Sequence, residues 1–298
     1  MELIEGLNID SLARIVWVSK EARDTWRKPI AEIGHMLGEL EVLSVAHDQR
    51  MLSWQTIGEK AFPKMAMKWA KMGMLAVPLL RVGQFEGFAH KHAPLLPGQP
   101  ANVCVIISKK IEHIEAFRNA YEKGDNVEQG RLLGYPKCCC DFFSEQWKLG
   151  NYDPIFQAAG NTEGSIKEVL PNGTRRVELV GHPYSNSALR YSSLRVGFHI
   201  SHSFDCVETV SIAKKRMNLA QKIYPDSAKL LDALLRMPMS WDAYHGIAVI
   251  KTPIFYIITS SIPTKEHHLV EVDYGADNFI PREAAKGLCF PFVTNKDD

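Results

Sequence analysis

Residues 138–140 are three consecutive cysteines that stand just after Pro136. Proline suits the first turn of a helix because it lacks the amide hydrogen that would have no partner there. The pattern therefore predicts a helix that begins near Pro136 and carries the cysteines in its first turn. Farther along the chain, His202 and Cys206 stand four residues apart, the spacing that places two side chains on one helix face. If both groups serve one site, the fold must bring two helix starts together.

The chemistry of these side chains indicates a metal site. Thiolates bind soft and borderline metals, and imidazole binds zinc and iron among others. Successive residues of a helix point about 100° apart, so at most two of three adjacent cysteines should serve one ion. We expect zinc or iron, with an iron–sulfur cluster as a further option. The candidate metal ligands are Cys138, Cys139, Cys140, His202 and Cys206.

The same cysteines allow two other interpretations. Each group is predicted to lie at a helix N-terminus, with Ser203 or Asp205 as the cap of the second helix, and the helix dipole favours a thiolate there. A metal-free enzyme with a nucleophilic or redox cysteine and His202 as proton acceptor fits this pattern. Cys206 would then be the disulfide partner, because neighbouring cysteines rarely pair with each other. Buried cysteines also occur as ordinary core residues.

Three further side chains close to the two groups are candidates for acid–base catalysis. Asp141 follows the three cysteines, His199 precedes His202, and Glu208 follows Cys206. His199 is equally consistent with packing or with orienting a ligand. Carboxylates close to a helix start are commonly caps or partners of the helix dipole, which gives Asp141 and Glu208 a structural alternative.

The pattern of apolar residues predicts an α/β or α+β fold, in which a mixed sheet is flanked by helices. We expect a mostly helical N-terminal region, residues 1–97, and a unit of residues 101–298 that carries the Cys/His site. The boundary is placed at residues 94–100, the densest turn signal in the chain. Within the second unit, Asn172-Gly173 predicts a hairpin, and residues 194–200 are predicted to form a strand.

The composition is that of a folded and nearly neutral protein, with 35 basic and 34 acidic side chains. A net charge of +1 gives no indication of a nucleic-acid partner. The first residues show neither the basic region nor the continuous apolar run of a secretory signal, so we expect no export. The most apolar stretch, residues 254–258 within 246–262, is interrupted by Lys251 and Pro253 and is too short to span a bilayer. We therefore expect a cytoplasmic protein that does not enter a membrane, and the oligomeric state stays open.

The two cysteine motifs also resemble those of a known family. Gly-Tyr-Pro-x-Cys-Cys at residues 134–139, followed by Ser-x-x-Cys at residues 203–206, is similar to a family of archaeal and bacterial proteins described only as a domain of unknown function. The resemblance covers residues 130–210. In that family the second element often begins with a cysteine at the position of His202, which exchanges one metal ligand for another. The resemblance implies a metal site and brings no activity with it.

These observations favour a cytosolic metalloenzyme that acts on a small metabolite, as in a biosynthetic step. Its metal would act as a Lewis acid or activate a water molecule. Common nucleotide-binding and serine-hydrolase motifs are absent from the sequence. One alternative is a zinc-stabilised module that binds a macromolecule, and the other is the metal-free thiol enzyme.

Overall fold

A computed structural model of the protein describes residues 15–83, 95, 97–98, 100–151, 153–261 and 265–275. These residues form eight α-helices and ten β-strands, so the predicted α+β fold with a mixed sheet is confirmed. Contacts group the described residues into two compact units. The large-sheet unit contains residues 15–36, 150–197 and 201–275, and the small-sheet unit contains residues 37–149 and 198–200.

The helices are α1 (Lys20–Ala46), α2 (Phe62–Ala70), α3 (Ile111–Glu122), α4 (Asn126–Leu132), α5 (Lys137–Lys148), α6 (Ile155–Gly160), α7 (Val207–Ile223) and α8 (Pro225–Leu234). The strands are β1 (Ile15–Trp17), β2 (Leu52–Gly58), β3 (Leu75–Val82), β4 (Asn102–Ser108), β5 (Ile166–Val169), β6 (Arg175–Leu179), β7 (Met239–Tyr244), β8 (Ile247–Lys251), β9 (Phe255–Ser260) and β10 (His268–Val272). None of these helices has the length and apolar character that crossing a bilayer requires.

The small-sheet unit is built on an antiparallel sheet of three strands in which β4 lies between β2 and β3. Residues 103, 105 and 107 of β4 share one core with Trp69 of α2, whereas Ile106 shares another with Phe117 of α3. A strand that is covered on both faces needs apolar side chains at consecutive positions. The apolar run of β4, which the sequence predicts as a buried strand, therefore reflects its central place in this sheet.

The division into units differs from the boundary predicted at residues 94–100, part of which lies outside the described residues. β4 follows that boundary in the chain but pairs with β2 and β3, which precede it. The described part of the first 97 residues thus contains strands as well as helices. Strand pairing joins the two sides of that boundary, and the predicted domains, residues 1–97 and 101–298, stay a prediction.

The large-sheet unit contains a sheet of seven strands in the order β1-β9-β8-β7-β10-β6-β5. β10 runs parallel to β6 and antiparallel to β7, which makes the sheet mixed. β5 and β6 form the predicted hairpin, and Gly173 of its turn has a φ of +84°, a conformation that glycine adopts without steric cost. α6 packs against β6 and β10.

Residues 194–200, which the sequence predicts as a strand, form no regular element. Leu194 and Val196 are buried, as expected from their alternation. The carbonyl oxygen of Val196, however, accepts a hydrogen bond from the buried guanidinium of Arg216 at 3.3 Å. The prediction of a strand is wrong. Alternating apolar residues indicate which side chains are buried, but here the backbone carbonyl that would pair with a neighbouring strand is hydrogen-bonded to an arginine side chain.

A buried ion pair links four parts of the large-sheet unit. The carboxylate of Asp153, just before α6, contacts the Arg190 guanidinium at 2.7 Å, and both side chains are at most 5% exposed. The other oxygen of Asp153 accepts hydrogen bonds from Trp241 Nε1 of β7 at 3.2 Å and from Ser261 Oγ at 3.1 Å. Each buried charge therefore has charged and neutral partners, which offset the free energy of removing it from water.

We expect Asp153→Ala to lower the free energy of unfolding by about 3–5 kcal/mol, because it leaves Arg190 buried without a carboxylate. Urea denaturation of the purified protein measures this change. Glu122→Ala is the matched control, since it removes the exposed ion pair of Arg118 and Glu122 at 3.4 Å. The control should cost less than about 1 kcal/mol. Equal losses in the two variants would contradict the role of the buried pair.

Candidate metal centre

A tight turn between α4 and α5 places the three cysteines. Gly134 has a φ of +75° after the end of α4, and the Tyr135 amide donates to the Gly130 carbonyl at 3.0 Å. Pro136 is the N-cap of α5, and its carbonyl oxygen accepts hydrogen bonds from the amides of Cys139 and Cys140, each at 3.0 Å. The cysteines thus occupy the first turn of α5, as the proline pattern predicts.

The segment that carries His202 and Cys206 is held by the backbone of Phe204. The Phe204 amide donates to Thr162 Oγ1 at 2.9 Å, and its carbonyl oxygen accepts from the His182 amide at 2.6 Å and from the Ser185 hydroxyl. A Cβ atom at Gly181 would lie 2.7 Å from both the Cβ and the carbonyl oxygen of Phe204. This close approach requires glycine at position 181 and brings the two backbone segments together.

Hydrogen bonds also hold the residues on either side of Phe204. Asn161 Nδ2 donates to the His202 carbonyl at 3.1 Å, and the Ser201 hydroxyl donates to the Ser203 carbonyl at 2.7 Å. The Asp205 carboxylate accepts the Glu163 amide at 2.9 Å. The cysteine segment is thus held by the turn after α4, and the segment with His202 and Cys206 is held by hydrogen bonds to residues 161–163, 182 and 185.

The cap of α7 differs from the prediction. Cys206 is the N-cap, and its Sγ accepts a hydrogen bond from the Thr209 amide at 3.4 Å. The side chains that the sequence predicts as caps have other partners: the Ser203 hydroxyl lies 3.5 Å from His202 Nε2, and the Asp205 carboxylate accepts the Glu163 amide. A sulfur at this position faces the positive end of the helix dipole, which favours its thiolate form.

Four side chains offer ligand atoms at one place, and together they define the candidate metal centre: Cys138, Cys139, His202 and Cys206. One ligand atom from each lies within 4.8 Å of all the others. Cys139 and Cys206 are buried, and the other two are partly exposed. All three cysteines of the group are thiols in this structure. The structure thus brings together a cluster of three cysteines and one histidine that can bind a metal ion.

The spacing of this group suits one ion. Zinc–sulfur bonds are about 2.3 Å long, so the ligands of a tetrahedral site lie about 3.8 Å apart. Ligand atoms within 4.8 Å of one another are compatible with binding a single ion. Three thiolates and one imidazole are also a ligand set that structural zinc sites use. Both the donor chemistry and the distances therefore fit a mononuclear metal ion.

Cys140, also predicted as a ligand, is not part of this group. Its Sγ donates a weak hydrogen bond to the Tyr135 carbonyl at 3.8 Å and lies where a Cβ atom on Gly130 would be only 2.6 Å away. Burial raises the pKa of the Cys140 thiol to about 11, which disfavours the thiolate that a ligand or nucleophile requires. The turn of the helix explains the difference, because each step along α5 rotates the side chain by about 100°.

The three predicted acid–base residues do not join the cluster among the described residues. Asp141 is exposed and pairs with Lys137 at 2.5 Å, a contact that raises the lysine pKa. The His199 ring is buried and lies 5.0 Å from the Tyr135 ring. Glu208 is exposed in the first turn of α7. Catalytic roles for these residues stay predictions.

The supports of the site are the part that sequence reasoning missed. Thr162, Gly181 and Ser185 all contact Phe204, yet they lie on separate elements and form no motif with it. A single glycine between ordinary residues gives no local sign that another backbone approaches it. Only the fold shows that these residues hold the segment with His202 and Cys206.

Comparison of the chain with protein-family models, with curated proteins and with solved structures finds no significant match. The resemblance of the two motifs to the family of unknown function therefore stays a prediction. The metal centre rests on the geometry of the four side chains.

We expect Gly130→Ala to lower the free energy of unfolding by about 1–3 kcal/mol, because its Cβ would overlap Cys140 Sγ. The same substitution in a Cys140→Ala background should be neutral or stabilising. The sulfur is then gone, and alanine is favoured over glycine in a helix by about 1 kcal/mol. Urea denaturation of the four proteins of this double-mutant cycle measures the coupling. An equal loss in both backgrounds would show that Cys140 Sγ does not lie against Gly130.

Proposed function

We propose that Cys138, Cys139, His202 and Cys206 bind one zinc or iron ion, and that this ion stabilises the protein. The observation that carries the proposal is the mutual distance of at most 4.8 Å among the four ligand atoms. Such a distance supports a single ion over an iron–sulfur cluster, because the protein ligands of a cluster are divided among two or four irons and are spread over a larger distance. Zinc is the better match, since three thiolates and an imidazole suit its tetrahedral preference.

The number of ligands supports a structural role. Structural zinc sites are closed by four protein ligands, whereas catalytic sites use three and leave a position for water or substrate. This group supplies four protein ligands, the number that closes a structural site. We therefore favour the zinc-stabilised module over the metalloenzyme that the sequence alone favours.

One observation supports the metalloenzyme as a second candidate. Cys138 and His202 are partly exposed, whereas Cys139 and Cys206 are buried. His202, the one imidazole of the four, is thus a partly exposed residue, and its release would leave three thiolates and a position open to a small metabolite. A metal with an open position supplies Lewis acidity or a bound water of lowered pKa.

The thiols of this centre also bear on the compartment in which the protein acts. The five described cysteines are all thiols, and a site built on thiolates requires that they stay reduced. Reducing conditions are those of the cytosol. We propose that the protein acts there.

Metal analysis of the protein tests the proposal directly. Protein purified without oxygen should contain about one equivalent of zinc or iron, and Cys139→Ser and Cys206→Ser should each lose most of it, because each variant removes one of the three thiolate ligands. Cys140→Ala is the matched control, since it removes a thiol of the same helix turn that lies outside the group. A metal-free wild type would contradict the proposal and favour the thiol enzyme, and so would equal loss of metal in the control.

Cobalt substitution distinguishes the structural site from the catalytic one. Cobalt bound by four protein ligands should give intense tetrahedral absorption bands that added azide or imidazole leaves unchanged, since no position is open. The His202→Ala variant should respond to added imidazole and provides the positive control. Bands of the wild type that shift on addition of azide would show an open position, and would favour the metalloenzyme.

A further inference from the structure

A second site candidate lies wholly within the small-sheet unit. A cavity of about 410 Å³ is bounded by the turn after α1, the start of α3 and Gly134. Its volume lies within the range of about 300–1,000 Å³ that is usual for small-molecule pockets. Asp48 at its edge has a φ of +56°, a left-handed turn conformation that aspartate adopts more readily than most residues. None of the four proposed metal ligands lines this cavity.

The charge of the lining is positive. Arg50, Lys109 and Lys110 provide three cations against the single carboxylate of Asp48, which leaves a net charge of +2. Lys109 Nζ lies 2.8 Å from both oxygens of Asp48, so these two side chains neutralise each other. Lys110 and Arg50 supply the remaining charge.

Arg50 is a buried cation whose charge is only partly compensated. Its side chain is 7% exposed, and its Nε donates to the Leu52 carbonyl at 2.6 Å. The two terminal nitrogens have no hydrogen-bond partner among the described residues, and the guanidinium lies 5.7 Å from the centre of the Phe198 ring. A buried charge with unpaired donors is costly. Its field acts across surroundings of low dielectric, so an anion in the adjoining cavity would be attracted strongly.

The start of α3 adds backbone donors to the same cavity. This helix has twelve residues, and no side chain caps its N-terminus. The amides of its first turn therefore lack helical partners, and the positive end of its dipole adjoins Lys110 and His113 in the cavity lining. Helix N-termini with nearby cations are recurrent phosphate-binding positions.

We propose that this cavity binds the phosphate group of a small molecule. A phosphate dianion matches the net charge of the lining, and its three oxygens can use both the α3 amides and the Lys110 ammonium group. The field of Arg50 favours the same ligand from behind the cavity wall. The volume leaves room for the organic part of a phosphorylated metabolite of modest size.

Calorimetric titration of the whole chain, as purified, at low ionic strength tests this assignment. The probes are inorganic phosphate and ribose 5-phosphate, with ribose and sodium chloride of matched ionic strength as controls. We expect saturable binding of both phosphate probes and none of ribose. Tighter binding of ribose 5-phosphate would identify a phosphorylated metabolite, and equal binding a site for the free ion. Absence of saturable phosphate binding, or an equal response to chloride, would overturn the proposal.

Variants locate the bound phosphate. Lys110→Ala should weaken phosphate binding about tenfold, the effect of losing one charge-assisted hydrogen bond of about 1.4 kcal/mol. Arg50→Met should weaken it at least as much, and Lys110→Ala keeps the test valid if that buried variant fails to fold. Lys64→Ala, which removes an exposed lysine of α2, is the matched control and should bind as the wild type does. Unchanged binding in Lys110→Ala would overturn the assignment to this cavity.

Discussion

The relative positions of the candidate ligands His202 and Cys206 depend on how the backbone of Phe204, which lies between them, is held. Its amide and its carbonyl are both taken by partners from other elements, and Gly181 approaches it so closely that no side chain fits between them. His202 and Cys206 lie two residues to either side. Their separation is therefore set by hydrogen bonds of the protein itself, and a metal ion would find these two ligands already placed.

The three cysteines of the candidate centre lie at two helix starts. Cys138 and Cys139 occupy the first turn of α5, and Cys206 is the N-cap of α7. Both positions lie at the positive end of a helix dipole, which stabilises negative charge, and the Thr209 amide donates to Cys206 Sγ. Three thiolates within 4.8 Å would repel one another strongly if no cation lay between them. The helix dipoles partly offset that repulsion, and a bound divalent cation would attract all three thiolates.

Local features of the sequence predict much of this fold. The Asn172-Gly173 turn, the proline before the cysteines and the apolar run of β4 each act within a few residues, and the structure contains the corresponding hairpin, helix and strand. Pairing between distant strands is not encoded in this way. β2, with a polar glutamine and threonine in its middle, becomes a strand because β4 provides an edge for it.

For the candidate site too, local features could be predicted from the sequence, whereas features that depend on distant contacts could not. Residue chemistry and helix spacing are enough to select the ligands and to limit the adjacent cysteines to two. Which two depends on where α5 begins, and that is decided by the turn at Gly134 and the packing of Cys140 against Gly130. The residues that contact Phe204, namely Thr162, Gly181 and Ser185, are far from it in the sequence, so no local pattern predicts these contacts.

The size of the protein limits what a metal ion would contribute. Zinc fingers unfold without zinc because their cores are too small to be stable alone. Here each unit has a sheet with buried apolar residues, and a buried ion pair joins several elements of the larger one. These cores supply most of the stability by themselves. An ion at the four ligands would thus add to the free energy of folding through its affinity for the folded state, without being what the fold depends on.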